Sequence, residues 1–180
     1  MPPAISEYCR RVANTTIGAT TLRKQGAAGV VAAARAFVAG IDLSTVGGCL
    51  TADAFAAHLD FLTDDLVKAL PAAGSSFGAA RKAINLYLAE AYYHQFVCRA
   101  YGLDRVAPWM EVPLDSQTAS FLAAAASSSG DATLVWPGIK WLTPADSARY
   151  QAVAAQYVAR RGDGWLRVHV DVIAWGRAYS

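Results

Sequence analysis

The sequence predicts an all-α fold, organised as a single compact helical domain, and three observations carry that reading. Alanine, which loses no side-chain freedom in a helix, fills 38 of the 180 positions. Hydrophobic residues make up 54% of the chain against 17% charged, and a chain of this length buries roughly 70% of its unfolded surface, so there is ample material for one core. Apolar residues also recur at helical spacing. Phe55, Leu59, Leu62 and Leu66 fall on one stripe of a helix.

The elements follow in chain order. Residues 26–38 form a small-residue helix, closed by the turn-rich LSTVGGC. Thr51 caps the helix that carries the Phe55 to Leu66 stripe, and Pro71 ends it, because the residue before a proline is pushed out of the helical region. LPAAGSSFG is a loop. A long helix runs from about Ala79 to Tyr101, with Ile84, Leu88, Ala91 and Tyr92 turned inward, and stops at Gly102. Pro108 and Pro113 make Asp104 to Leu114 an extended connection. A short helix covers Ser116 to Ala126, SSSGDATLVWPG is a surface loop, and a helix with a first-turn proline runs from Pro144 to Arg161. In the tail, LRVHVDVI alternates as a strand does, yet one strand without a partner leaves its backbone groups unpaired, so the tail is read as a terminal helix.

The formal charge of +2 excludes a strongly basic nucleic-acid coat, although the charge is unevenly spread. Residues 1–35 hold five basic groups and one acidic, residues 36–135 five and ten, residues 136–180 six and three. Basic ends that met in the fold would form a positive face for phosphates, with Arg10, Arg11, Arg23 and Lys24 foremost. Cys9, Cys49 and Cys98 are odd in number and lack C-x-x-C spacing, and His58, His94 and His169 lack H-x-x-x-H spacing, so neither a disulfide framework nor a metal is expected, nor any cofactor. The start lacks the layout of a signal peptide, and no stretch reaches the ~18 apolar residues of a membrane helix. A cytoplasmic protein with no membrane partner is the expectation.

Two residues stand in contexts that suggest chemistry. Lys82 follows the small residues Gly78, Ala79 and Ala80 and precedes the apolar Ala83, Leu86 and Tyr87, which places it near the first turn of its helix. There the helix dipole and partial burial both lower a lysine pKa, and a neutral lysine is a nucleophile suited to Schiff-base chemistry. Asp115, after Pro113 and before Ser116, is placed to cap the next helix.

GAARKAIN resembles the second half of the helix-hairpin-helix element of DNA glycosylases, in which a glycine-rich hairpin precedes a catalytic lysine. VPLDSQTASFL resembles their P-x-D-[ST] segment, whose aspartate caps a helix and points into the base-recognition cleft. The spacing of Lys82 and Asp115 is closest to the archaeal 8-oxoguanine glycosylase branch, and VHVDVIAW is similar to a late Asp and Trp segment there. Ala80 stands where the hairpin's second glycine is usual.

The resemblance implies a helix-hairpin-helix-like element over about residues 66–101, and DNA as the partner, a duplex with one flipped base. Lys82 is then the nucleophile and Asp115 its catalytic partner. Gly78 and Arg81 meet the DNA backbone, while Trp109, Asp171 and Trp175 line the base pocket. Trp136, Trp141 and Trp165 also sit beside turn residues, where a base could stack. The implied activity is excision of a damaged or modified base, with strand cleavage by β-elimination open to it. Two alternatives stand beside it: a glycosylase-derived enzyme that modifies a base or nucleotide, and a non-catalytic helical interaction module.

Overall fold

A computed structural model describes residues 3–22, 28–128 and 133–176, and among them every regular element is helical. The first, α1 (Pro3–Thr16), is not among the elements predicted from sequence. It buries Cys9, Val12 and Ala13, a stripe of helical spacing that Ile17 continues beyond its end. Helix α2 (Val30–Ala39) covers most of the predicted 26–38 segment and buries Val30, Ala34 and Val38. A short α3 (Leu43–Gly47) is capped by Asp42.

Helix α4 (Ala52–Ala69) begins where the sequence places it, the Thr51 hydroxyl accepting the Ala54 N–H at 3.1 Å, and Phe55, Leu59, Leu62 and Leu66 are all buried. After a connection over residues 70–76 comes α5 (Phe77–Tyr93), capped by Ser76. The predicted long helix is in fact two. His94 is extended, at φ −79° and ψ 102°, and α6 (Gln95–Tyr101) starts after it, ending at a left-handed Gly102. Tertiary contacts flank the break: the Tyr93 hydroxyl donates to the Val168 carbonyl at 3.1 Å, and the Tyr8 ring packs against both His94 and Phe96.

The proline-rich segment after α6 contains two 3-10 turns and then runs extended into α7 (Ser116–Ser128). Helix α8 (Pro144–Arg161) opens with a capping box between Thr143 and Asp146. The tail is helical, a 3-10 turn at Arg167–His169 leading into α9 (Val170–Gly176). Its alternation has a packing origin, since Val168 enters one core and Val170 another.

Those two cores organise the molecule. The first gathers α1, α2, α4, α5 and α6 around Leu59, Leu66, Ile84 and Tyr87; the second gathers α7, α8 and α9 around Leu122, Tyr150, Ala154 and Val170. Helix α5 runs through the first core and also touches α8. The seam between the cores is polar and closely bonded. Buried Gln151 of α8 accepts the Val112 N–H at 3.0 Å and donates to the Val112 carbonyl at 2.8 Å, a two-point hold on the extended segment before α7. No helix among the described residues is long and apolar enough to cross a membrane.

Candidate active site

The seam opens on one side into a cleft of about 1040 Å³, and Lys82 and Asp115 both lie on its lining. Lys82 sits in the second turn of α5 rather than the first, beyond the reach of most of the helix-terminus field. Its side chain is only 11% exposed. Burial lowers its pKa from the usual lysine value, outweighing the attraction of Asp115 and Asp171. The neutral amine is therefore more accessible than in a surface lysine.

Asp115 divides its two oxygens between two tasks. Oδ1 accepts the N–H groups of Gln117 and Thr118, both at 2.9 Å, and so caps α7 as predicted. Oδ2 stands 3.6 Å from the Lys82 Nζ. The cap thus fixes the direction in which the free oxygen faces. A third group completes the cluster. Thr118 Oγ donates to Asp171 Oδ1 at 3.0 Å, so the first turn of α7 holds Asp115 by backbone and Asp171 by a buried hydroxyl. Burial pushes the Asp171 carboxyl up to about 6, the negative charge of Asp115 adding to the rise, while the Thr118 hydrogen bond and the Lys82 charge oppose it. One amine, one capping carboxylate and one carboxyl of raised pKa share a cavity, an arrangement suited to moving protons to and from a reacting amine.

Trp175 lines the cleft with Asp171, and so do Trp136 and Trp141 from the loop before α8. Other expected members are elsewhere. Trp109 packs in the first core, its ring 6.4 Å from that of Phe55, and its carbonyl accepts from Arg167; it is absent from the cleft lining. Gly78 is buried with no face open to a phosphate, because α5 meets the loop at 139–142 there and a Cβ would overlap the Ile139 carbonyl oxygen.

Arg81 is likewise no backbone clamp. It is 8% exposed and fully engaged, bonding Asp60 Oδ1 at 2.7 Å, Thr63 Oγ at 2.8 Å and Glu111 Oε2 at 2.9 Å. Asn85, one turn along, donates to the same Glu111 oxygen at 2.9 Å. Arg10 is exposed and pairs with Glu7, Arg11 lines a separate groove with Glu90 and Tyr93, and Arg23 and Lys24 lie outside the described residues. Residues from both basic stretches do reach the cleft, at 20–21 and 136–141, and among the described residues Lys140 is the cation they bring to its lining.

Sequence reasoning missed Thr118, Gln151 and Glu111. Glu111 in a proline-rich connection reads as solvated, and nothing local reveals its partners 26 and 30 residues away. Comparison with protein-family models, curated proteins and solved structures found no match for this chain.

Proposed function

We propose that the protein is a DNA glycosylase-like enzyme that excises a damaged or modified base, with Lys82 as nucleophile and Asp115 as its proton partner. The observation that carries this reading is the Lys82–Asp115 pair itself: a buried amine of lowered pKa, 3.6 Å from a carboxylate oriented by its cap, at an open cleft. On this reading the neutral amine attacks C1′ of the target nucleotide. The C1′–N bond breaks, and its electron pair leaves with the base, which takes a proton. Asp115 accepts the proton shed by the amine and faces the cationic transition state. Opening of the sugar, with O4′ taking the C1′–O4′ electron pair and a proton, leaves an imine between Lys82 and C1′. From that imine β-elimination can follow.

Helix α4, the 70–76 connection and α5 take the place of the helix-hairpin-helix element in this reading. Phosphate contacts then fall to groups other than Gly78 and Arg81. A cytoplasmic setting is part of this reading.

The test is borohydride trapping over a panel of duplexes carrying damaged and modified bases. Wild type is expected to give a covalent adduct with at least one duplex and the Lys82→Gln variant none. Equal trapping by both would end the assignment of Lys82.

A further inference from the structure

One stretch of the cleft lining differs from the rest in how it is built. Residues 136–141 read Trp-Pro-Gly-Ile-Lys-Trp and are seated against α5: the Ile139 carbonyl occupies the space that a side chain at Gly78 would need. Leu142 is buried in the second core, and the Trp141 N–H donates to the Gly138 carbonyl at 3.0 Å. On this fixed seat Trp141 is 69% exposed, the most exposed of the five tryptophans. The Lys140 Nζ lies 5.3 Å from its ring centre.

An indole held out in water at a cleft has an unfavourable hydration that a second flat ring would relieve by stacking. The ammonium lies over one face of the indole, so the ring stacks on the other, and it supplies a charge for an anion attached to that ring. A flat ring with an anion one linkage away is the chemistry of a nucleotide, and aromatic platforms next to basic groups are how proteins hold successive bases of a strand. The cleft has the room, since about 1040 Å³ is at the upper end of the ~300–1,000 Å³ typical of sites for one small molecule.

We infer that Trp141 and Lys140 form a second subsite, which takes the nucleotide next to the one that enters over Lys82, its base stacked on the indole and its phosphate paired with the ammonium. The identity of this ligand rests on the glycosylase reading; the subsite has its own test.

That test measures, by fluorescence anisotropy, binding of the full chain to a labelled duplex carrying a tetrahydrofuran abasic analogue, which has no aldehyde and reads the subsite whatever Lys82 does. Trp141→Ala is expected to weaken binding ~5- to 100-fold, the range of one lost base–aromatic stack, and Trp141→Phe to restore most of it. Lys140→Gln should reduce the slope of log affinity against log salt by about one. Equal binding by Trp141→Ala and wild type overturns the inference, and so does failure of wild type to bind.

A second measurement compares borohydride trapping on an abasic duplex and on free 2-deoxyribose, which has the aldehyde but no neighbouring nucleotide. The Trp141→Ala loss should be larger on the duplex; equal losses overturn the subsite. Lys82→Gln separates the two ideas. If it traps as well as wild type, the reaction falls, while an anisotropy loss in Trp141→Ala still upholds the subsite.

Discussion

On α5, Arg81 and Lys82 are adjacent and project about 100° apart, Arg81 into the seam between the cores and Lys82 into the cleft. Arg81 is surrounded by three acceptor residues from two segments: Asp60 and Thr63 on α4, and Glu111 on the segment leading to α7. Lys82 has one close counterion, at 3.6 Å, and a second carboxyl nearby whose pKa burial raises to about 6. A guanidinium keeps its charge at any pH a protein survives and forms a rigid fork of donors, so it suits a joint. An ammonium that is desolvated and incompletely paired has a lowered pKa, so it suits a reaction. Burial alone does not separate the two, since both side chains are about a tenth exposed. The separation lies in how many partners compensate the charge.

Removing Arg81 breaks the comparison most severely. Arg81→Ala leaves the Glu111 carboxylate, 16% exposed, without its main partner, and losing one member of such a pair costs ~3–5 kcal/mol. Arg81→Lys should recover only part of this, because a point charge does not serve three acceptors. Chemical denaturation checks both. A cost under ~1 kcal/mol for Arg81→Ala would show that Gln151 and the apolar cores hold the seam without it.

How far this contrast was legible in the sequence follows from its range along the chain. The helical class and the Thr51 and Asp115 caps rest on patterns within a few residues, and the structure bears them out; the tail is helical although its local spacing alternates as a strand's does, and the Lys82 pKa is lowered by burial rather than by the helix terminus. The resemblance to the glycosylase hairpin makes Arg81 a phosphate contact. Its actual partners lie 18, 21 and 30 residues away, and no local pattern encodes them. Gly78 was assigned to a ligand for the same reason; the backbone that approaches it is the protein's own, some sixty residues on. Trp109 beside Pro108 looked like a cleft residue, but two 3-10 turns fold it back onto Phe55. Helix α1 went unseen although its buried stripe has ordinary spacing. The break at His94 lies beside the Tyr93 contact to Val168, far along the chain.

The next largest effect concerns the second carboxyl on the Lys82 side. The Asp171 pKa is raised from 3.8 to about 6, so between those values the folded protein holds a proton that the unfolded chain has released. Stability from this group is complete below about pH 4 and is lost as pH rises through about 6, some ~3 kcal/mol across the window. Asp171→Asn should flatten that part of the stability profile, measured by denaturation from pH 4 to pH 7. If wild type and variant keep parallel profiles, Asp171 is as well compensated as Arg81 and the contrast between the two sides of α5 disappears. The Lys82 shift has a readout in chemistry. Because burial lowers its pKa, trapping rates should rise with pH and level off below 10.5, the value for an ordinary lysine.

The smallest change in stability sharpens the comparison most, because it separates holding from reacting within one residue. Asp115 Oδ1 holds α7 through two N–H groups, and Oδ2 faces Lys82. Asp115→Ala loses both and should cost ~1 kcal/mol. Asp115→Asn keeps a capping oxygen, and Asn caps about as well as Asp, so its melting temperature should stay close to wild type. Its other position then carries an uncharged amide toward Lys82, with no carboxylate to accept the amine's proton or oppose a cationic transition state, and trapping should fall ~10²-fold or more. Lys82→Gln should likewise leave the fold nearly unchanged, since a neutral group replaces an incompletely paired charge, while abolishing the adduct. Melting temperature and trapping yield, taken together on the three variants, decide the matter. Full trapping in Asp115→Asn would reduce Asp115 to a cap, and full trapping in Lys82→Gln as well would place Lys82 with the structural cations, as Arg81 is.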